Sequence, residues 1–200
     1  MPQAATKRDA RYTYADYLQW PDYERWELIG GIAYNMTPAP STTHQRVSRE
    51  LFFQFVGHLK GKKCEVFNAP FDVRLPAPGE SDLTASTVVQ PDLVVVCDPA
   101  KLDEQGCKGA PDLVVEILSP ATAAKDLKEK FVLYERVGVE EYWIVHPVEK
   151  AVTVYRRGPE GLYGRPSVYT AGDRVPVGFL PELEIDLAMV FIDPGTEEAV

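Results

Sequence analysis

The sequence predicts a mixed α/β (α+β) fold in which helices and strands alternate within one domain. Three observations support this prediction. Apolar residues recur at helical spacing over about 42–59, two short apolar runs follow Pro91 and Pro111, and a second helical pattern precedes an aromatic and β-branched run at 141–145. Short uninterrupted apolar runs are typical of strands that are buried on both faces, so we expect the sheet to lie inside the protein.

The composition is that of an ordinary globular domain. The chain has 200 residues, of which 45% are hydrophobic and 26% are charged, a mixture that can bury a core. No apolar run reaches the roughly 20 residues of a membrane helix, and the N-terminus lacks the apolar stretch of a signal peptide. We therefore expect a cytoplasmic protein with no membrane partner.

Charge and cysteine content bear on partners and compartment. The net charge of −9 opposes long-range attraction to nucleic acid, although carboxylates that hold a metal ion contribute to the same total. The cysteines are Cys64, Cys97 and Cys107. Their odd number and their spacing fit neither a disulfide framework nor a zinc site, so we expect reduced structural thiols.

The first elements are a short helix and a hairpin. Thr13 and Asp16 have the spacing of a capping box at a helix start. Gly30-Gly31 supplies the positive φ angles of a tight turn, which predicts a hairpin over about 24–36.

A long helix is predicted next. Thr42 with Gln45 has the form of a second capping box, for a helix that ends near Leu59. Its predicted buried line is His44, Val47, Leu51, Phe55 and Leu59.

The middle of the chain predicts strands around a second helix. Residues 65–75 form a predicted strand that Pro70 can interrupt, and the apolar runs after Pro91 and Pro111 form two more. A helix over about 125–137 ends at Gly138, and a strand follows at 141–145.

The C-terminal part predicts a peripheral hairpin from strands near 151–157 and 162–169, followed by a tail that includes 183–187. No linker divides the chain, so we expect one domain over residues 1–200. Its parts are a core at about 42–147, the N-terminal hairpin at about 24–36, and the C-terminal hairpin and tail at about 148–200.

The two apolar runs bring two carboxylates together. Strands joined by a short loop most simply pair antiparallel, in a register where Val94 faces Val114 and Asp92 faces Glu116. Asp112 cannot replace Asp92, because four strand residues at roughly 3.3 Å each separate it from Glu116. A buried carboxylate needs a partner, which is either a divalent cation shared with Asp92 or an ion pair with a nearby Arg or Lys.

The helix at 125–137 contributes a lysine. Counted at about 100° per residue, Lys130 lies inside the buried arc and Lys128 lies outside it. The other predicted members of the arc are Leu127, Phe131, Tyr134 and Val137. A cation within an apolar stripe favours an acidic partner such as Glu116; the alternative is a lysine that snorkels at the edge of the stripe.

These residues fit metal-dependent hydrolysis of a phosphodiester. Asp92 and Glu116 are the predicted metal ligands, and their oxygen atoms favour Mg²⁺ or Mn²⁺ over zinc. Such an ion activates a water and polarises the phosphoryl oxygen, while Lys130 would steady the nucleophile or the developing charge. We therefore predict Asp92, Glu116 and Lys130 as catalytic residues.

The order helix, three strands, helix, strand, with Pro-Asp on one strand and an acidic residue on the next, resembles the PD-(D/E)xK nuclease superfamily. More specifically, the chain is similar to the Uma-type restriction endonuclease family over about residues 12–190. The motifs that carry the resemblance are Tyr23–Gly31 (YERWELIGG), Thr37–His44 (TPAPSTTH), Gln90–Asp92 (QPD), Val115–Pro120 (VEILSP), Asp126–Lys130 with Tyr134, and Gly138–Trp143 (GVEEYW).

The resemblance implies a restriction-endonuclease-like core with a mixed central sheet flanked by helices. It also implies that Glu27, His44 and Tyr134 line the cavity that holds Asp92 and Glu116. From the residues alone, Glu27 is more typical of a solvent-facing strand residue, and His44 is more typical of a structural histidine at a helix start.

The chain departs from the superfamily at one position. The usual lysine two residues after Glu116 is replaced by Leu118. The resemblance to relatives with a migrated lysine assigns its role to Lys130, in agreement with the helical arc.

The sequence favours a Mg²⁺-dependent endonuclease that acts on nucleic acid, DNA in the first instance. An inactive nuclease fold that binds nucleic acid or a protein partner is the alternative, because the strand lysine is absent and the net charge is −9. A small-molecule hydrolase that uses the same metal is a more remote reading. Apolar strands near the C-terminus are compatible with a homodimer.

Overall fold

The computed structural model describes residues 6–7, 10–21, 23–36, 39–120 and 126–192. Its strands are β1 (Thr6–Lys7), β2 (Trp26–Ile29), β3 (Ile32–Asn35), β4 (Glu65–Asn68), β5 (Val73–Arg74), β6 (Val88–Val89), β7 (Leu93–Val96), β8 (Leu102–Asp103), β9 (Gly106–Lys108), β10 (Leu113–Ile117), β11 (Glu141–His146), β12 (Ala151–Arg156), β13 (Ser167–Thr170), β14 (Arg174–Val177) and β15 (Leu180–Asp186). Its α-helices are α1 (Tyr14–Tyr17), α2 (Thr42–Leu59), α3 (Phe131–Val137) and α4 (Leu187–Val190). None of these described helices combines the length and the apolar character needed to cross a membrane.

The largest core surrounds a six-stranded sheet in the order β13-β12-β11-β10-β7-β4. Strands β10 and β11 run parallel, and the other four neighbouring pairs run antiparallel. The prediction of a mixed sheet flanked by helices is therefore confirmed. Odd-numbered residues of β7 and β10 pack with α2, whereas even-numbered residues pack with α3, because successive strand side chains point to opposite faces.

A second sheet has the order β1-β3-β2-β6-β5-β9-β8. Its β2–β3 hairpin turns at Gly30 and Gly31, whose φ angles are 57° and 79°, as the sequence predicts. The predicted strand at 65–75 is divided near Pro70, and its halves β4 and β5 belong to different sheets. The predicted loop between β7 and β10 contains β8 and β9, which are too short to give a periodic signal.

Helix α2 has the bounds and the buried line that its apolar spacing predicts. The cap is one residue earlier than expected. Ser41 is the N-cap, and its hydroxyl accepts a hydrogen bond from the backbone nitrogen of His44 at 3.2 Å. Thr42 is instead the first helical residue.

The helix after β10 begins with a π-helical turn at Asp126–Lys130 before α3. A π turn has a wider period than an α-helix, so a count at 100° per residue fails in this turn. Leu127, predicted to be buried, is 45% exposed. Lys130 and Tyr134 are buried as predicted, and α3 ends at Gly138 with a φ angle of 87°.

The C-terminal hairpin β12–β13 lies at the edge of the six-stranded sheet. The segment predicted as a tail forms a second hairpin, β14–β15, followed by α4. Leu183, Ile185 and Leu187 are buried in the core that α2 covers. Leu183 and Ile185 alternate with polar residues along β15, which gives this strand one apolar face.

The expectation of three reduced thiols is wrong, because Cys64 and Cys97 form a disulfide. Strands β4 and β7 pair with Glu65 opposite Val96, so the two cysteines lie opposite each other just beyond the ladder, with Cα atoms 3.9 Å apart. Sequence spacing cannot reveal this register. Cys107 is free and buried, and burial raises the pKa of its thiol to about 11.

Candidate active site

Asp92 and Glu116 meet where β7 and β10 pair. The ladder places Val94 opposite Val114 and Leu93 opposite Val115, which is the predicted register. The next position along the pair sets Asp92 beside Glu116. The backbone nitrogen of Ile117 donates a hydrogen bond of 2.8 Å to Asp92 Oδ2, which fixes the carboxylate against β10.

Lys130 lies between two buried carboxylates. Its Nζ is 2.8 Å from Glu116 Oε1 and 2.9 Å from Glu27 Oε1. All three side chains are almost fully buried, at 5% exposure or less. The predicted pairing of Lys130 with Glu116 is present, and the alternative of a lysine snorkelling into solvent is wrong.

Tyr134 fixes the orientation of Glu116 from the next turn of the helix. Its hydroxyl donates a hydrogen bond of 2.7 Å to Glu116 Oε1. Burial, reinforced by the negative charge of Glu116, raises the pKa of Tyr134 well above its usual value. The phenol therefore stays neutral and acts as a donor.

Glu27 contacts the same ammonium as Glu116. It is fully buried on β2, and the solvent-facing alternative is wrong. Its Oε1 also accepts a hydrogen bond of 3.1 Å from the backbone nitrogen of Gln90. Gln90 is therefore a supporting residue that the sequence argument did not identify, although it stands directly before the Pro-Asp pair.

His44 reaches the site from the first turn of α2. Its Nε2 lies 3.2 Å from Asp92 Oδ2, and its side chain is 9% exposed. Its Nδ1 is buried and has no hydrogen-bond partner among the residues that the structure describes. The six predicted residues thus form two contacting groups, Asp92 with His44, and Lys130 with Glu27, Glu116 and Tyr134. The two groups meet in one region of β10, where the Ile117 backbone nitrogen holds Asp92 next to Glu116.

Asp112 lies outside this region, as its spacing predicts. Its Oδ2 accepts a hydrogen bond of 2.7 Å from the backbone nitrogen of Cys97, at the opposite end of β7. The residue caps a strand end and is separate from the carboxylate pair.

The donor set fits a hard divalent cation. Asp92 is 20% exposed, and its Oδ1 accepts no hydrogen bond from any described residue, so this oxygen can take a ligand. Within the same described part of the chain, no three His, Cys, Asp or Glu side chains are arranged to hold a metal ion. Mg²⁺ commonly binds through one or two carboxylates and completes its shell with water and substrate oxygens, which suits this pair.

The family model of Uma2, described as "Putative restriction endonuclease", matches residues 14–188. The chain belongs to the Uma2 family. The chain is also similar to "Uncharacterized protein slr1290" of Synechocystis sp. (strain ATCC 27184 / PCC 6803 / Kazusa). The two are 30% identical over 149 residues, which are 73% of this chain and 74% of the relative.

A solved structure resembles this member of the Uma2 family in fold. It is the crystal structure of "a putative nuclease belonging to DUF820" from Anabaena variabilis ATCC 29413, with a TM-score of 0.70 and 22% sequence identity. The alignment covers 90% of this chain and 97% of that one. At this identity the match shows a shared fold.

Proposed function

We propose that this Uma2-family protein is a Mg²⁺-dependent endonuclease that hydrolyses phosphodiester bonds in DNA. The observation that carries the proposal is the Asp92 carboxylate held by the backbone nitrogen of Ile117 at 2.8 Å, one residue from Glu116, with the Lys130 ammonium 2.8 Å from Glu116. Two acidic oxygens and a buried ammonium are the groups that phosphoryl transfer uses for charge stabilisation and positioning. Membership of the family supports the same assignment.

Asp92 and Glu116 would hold the ion. When bound, Mg²⁺ supplies Lewis acidity toward a phosphoryl oxygen and lowers the pKa of a coordinated water. The Ile117 backbone nitrogen and His44 orient the Asp92 carboxylate. Tyr134 orients Glu116 in the same way.

Lys130 has two roles in this arrangement. In the resting protein its ammonium compensates the buried charges of Glu27 and Glu116. During reaction it would stabilise the negative charge that develops on the phosphoryl oxygens, the role of the strand lysine that Leu118 replaces. Because Glu27 also contacts Lys130, it is a positioning residue for that ammonium.

A cleavage assay tests this proposal. Supercoiled plasmid and single-stranded DNA are incubated with pure protein in Mg²⁺, in Mn²⁺ and in EDTA. We expect metal-dependent cleavage that falls by about 100-fold or more in Asp92→Asn and in Glu116→Gln. Glu129→Gln is the matched control, because Glu129 is an exposed acid in the turn that carries Lys130, and it should cleave like the wild type. Cleavage that survives Asp92→Asn would overturn the assignment.

One observation favours a second candidate, an inactive nuclease fold that binds nucleic acid or protein. Lys130 is already paired with both Glu27 and Glu116, so the ion pair that a buried glutamate needs is satisfied without a metal. This candidate predicts DNA or protein binding that EDTA does not change and no cleavage under any metal. The same assay separates the two functions.

Cleavage of both strands of a duplex uses two sites, which a homodimer would supply. Light scattering on the eluting protein measures this directly. A dimer that persists at the concentrations of the cleavage assay supports this arrangement, and a monomer that makes double-strand breaks contradicts it.

A further inference from the structure

An open cavity of about 330 Å³ lies beside the candidate active site. Its wall combines an aromatic ring, a phenol, an amide and carboxylates, a mixture that suits a polar, planar ligand. The residues that matter here are Tyr17, Phe71, Asp72, Gln90, Asp103 and Glu104. Of these six residues, Gln90 also contacts the candidate active site, because its backbone nitrogen donates to Glu27.

Two connections hold this cavity close to Asp92. Gln90 precedes Asp92 by two residues, so their Cα atoms are separated by no more than about 7 Å. The backbone nitrogen of Ala69 donates a hydrogen bond to the Asp92 carbonyl at 3.1 Å, and the next residue, Pro70, lines the cavity. The cavity wall and Asp92 are therefore adjacent through the backbone.

The hydrogen-bond donors of the inner cavity wall already donate to other groups of the same wall. Gln90 Nε2 donates to Tyr17 Oη at 3.0 Å and to Asp72 Oδ1 at 2.9 Å. The Tyr17 hydroxyl donates to the same Asp72 oxygen at 3.1 Å. Gln90 Oε1 in turn accepts two hydrogen bonds from Arg25, which fixes the orientation of the amide.

Asp72 Oδ2 is the acceptor that remains. It makes no hydrogen bond to any residue in the described part of the chain. Burial raises the pKa of Asp72, against the opposing effect of its Gln90 and Tyr17 hydrogen bonds. A ligand that brings an N–H group would donate a hydrogen bond to this oxygen. A phosphate would not, because Asp103 and Glu104 add further carboxylates at the rim.

The aromatic wall favours a flat ligand. Phe71 stacks in parallel on Phe67, with ring centroids 4.3 Å apart and an interplanar angle of 5°. Because Phe71 also lines the cavity, a planar group can extend this stack. A nucleobase is planar and carries N–H donors at its edge. It can therefore stack on Phe71 and donate a hydrogen bond to the Asp72 carboxylate.

We propose that this cavity binds a nucleobase with an exocyclic amino group, cytosine, adenine or guanine, from the nucleotide next to the phosphate at Asp92. The position of that nucleotide rests on the proposed function. Carboxylates accept hydrogen bonds from such amino groups. Thymine presents carbonyl oxygens on both sides of its N–H, and the Asp72 carboxylate repels them. The cavity would thus give the enzyme a base preference at one position.

Binding of labelled single-stranded homo-oligonucleotides, measured by fluorescence anisotropy in EDTA, tests the proposal without cleavage. We expect oligo(dC) and oligo(dA) to bind at least about tenfold more tightly than oligo(dT). Asp72→Asn keeps an oxygen for Gln90 and Tyr17 but places an N–H where Oδ2 stood. It should therefore reverse the preference toward oligo(dT). Asp98→Asn, an exposed Asp→Asn change outside the cavity, is the matched control and should keep the wild-type preference.

A second variant keeps the proposal testable if Asp72→Asn does not fold. Phe71→Leu removes the stacking ring, and we expect it to weaken oligo(dC) binding by about tenfold. Equal binding of the three oligonucleotides, or no binding of any, overturns the proposal. Tighter binding of arginine amide than of cytidine would also overturn it, in favour of a cationic side chain from a protein partner.

The results separate this inference from the proposed nuclease activity. A base preference in a protein that never cleaves DNA supports the cavity and contradicts the nuclease. Metal-dependent cleavage without a base preference supports the nuclease and contradicts base binding in the cavity.

Discussion

Lys130 Nζ lies 2.8 Å from Glu116 Oε1, although 14 residues separate the two along the chain, and 2.9 Å from Glu27 Oε1. Glu116 belongs to the six-stranded sheet and Glu27 to the seven-stranded sheet. One ammonium therefore joins the two sheets through a pair of buried carboxylates. The stability of this junction and its chemistry depend on the same side chain.

Removal of the Lys130 ammonium should destabilise the protein. Lys130→Met keeps the length of the side chain but leaves Glu27 and Glu116 buried without their cation, which typically costs about 3–5 kcal/mol. Denaturant unfolding at neutral pH measures the loss. Lys128→Met, an exposed change in the same turn, should stay within about 0.5 kcal/mol of the wild type.

A double variant tests whether charge is the cause. Adding Glu27→Gln to Lys130→Met removes one of the two carboxylates that contact the ammonium in the wild type and should recover part of the lost free energy of unfolding. If the two changes are additive, the Lys130–Glu27 pair is not coupled and this account of the junction is wrong.

Tyr134→Phe should lower stability without unfolding the site. The change removes the hydroxyl that donates to Glu116 Oε1 and leaves the ring packing intact. We expect a loss of about 1.5–3 kcal/mol in the free energy of unfolding, the usual contribution of a hydrogen bond to a charged group, while the Lys130 contact to the same oxygen remains. Tyr23→Phe is the control, because Tyr23 is 85% exposed and should show no change. Equal stability of the two variants would contradict the hydrogen bond.

The raised pKa of Asp72 predicts a pH dependence of stability. Burial favours the neutral carboxyl in the folded state, so its folded pKa lies above its unfolded value. The stabilisation is fully present below the unfolded pKa and is lost as the pH rises through the folded pKa. The stability of the wild type relative to Asp72→Asn should therefore fall as the pH is raised from acid toward neutral. A difference that stays constant or grows would contradict this assignment.

The Cys64–Cys97 disulfide should contribute to stability by restricting the unfolded chain. It closes a loop with a sequence separation of 33 residues, for which chain entropy gives about 3–4 kcal/mol. Dithiothreitol should lower the melting temperature of the wild type to that of Cys97→Ser, and leave Cys97→Ser itself unchanged. Cys107→Ala, which removes the free thiol, should keep the response to dithiothreitol. A wild type that does not respond would contradict the disulfide.

The sequence predicts most of the site because two periodic patterns position it. Extension of the β7–β10 register by one position sets Asp92 beside Glu116, a relation that strand geometry encodes directly. Lys130 is buried as the helical count predicts, although it lies in the π-helical turn where that count fails for Leu127. Glu27 and His44 carry no comparable local signal, since their burial depends on packing between elements distant in the chain; only the family resemblance indicated them.

Most of the features that the sequence did not reveal depend on pairing between segments that are distant in the chain. Cys64 and Cys97 meet through the β4–β7 register, and the short strands β5, β6, β8 and β9 exist only as members of the second sheet. The exposure of Leu127 follows from the π-helical turn, which no apolar spacing specified. The cavity around Asp72 likewise joins residues from four separate segments.

Isothermal titration of Mn²⁺ into the apoprotein tests the central claim most directly, because it detects the carboxylate pair without requiring a substrate. The account predicts one saturable binding event in the wild type and in Glu129→Gln, which is lost in both Asp92→Asn and Glu116→Gln. Circular dichroism and thermal unfolding of each variant provide the check that the fold is intact. Mn²⁺ binding that is unchanged in folded Asp92→Asn and Glu116→Gln, or absent from the wild type, would contradict the assignment of these two residues as the metal site.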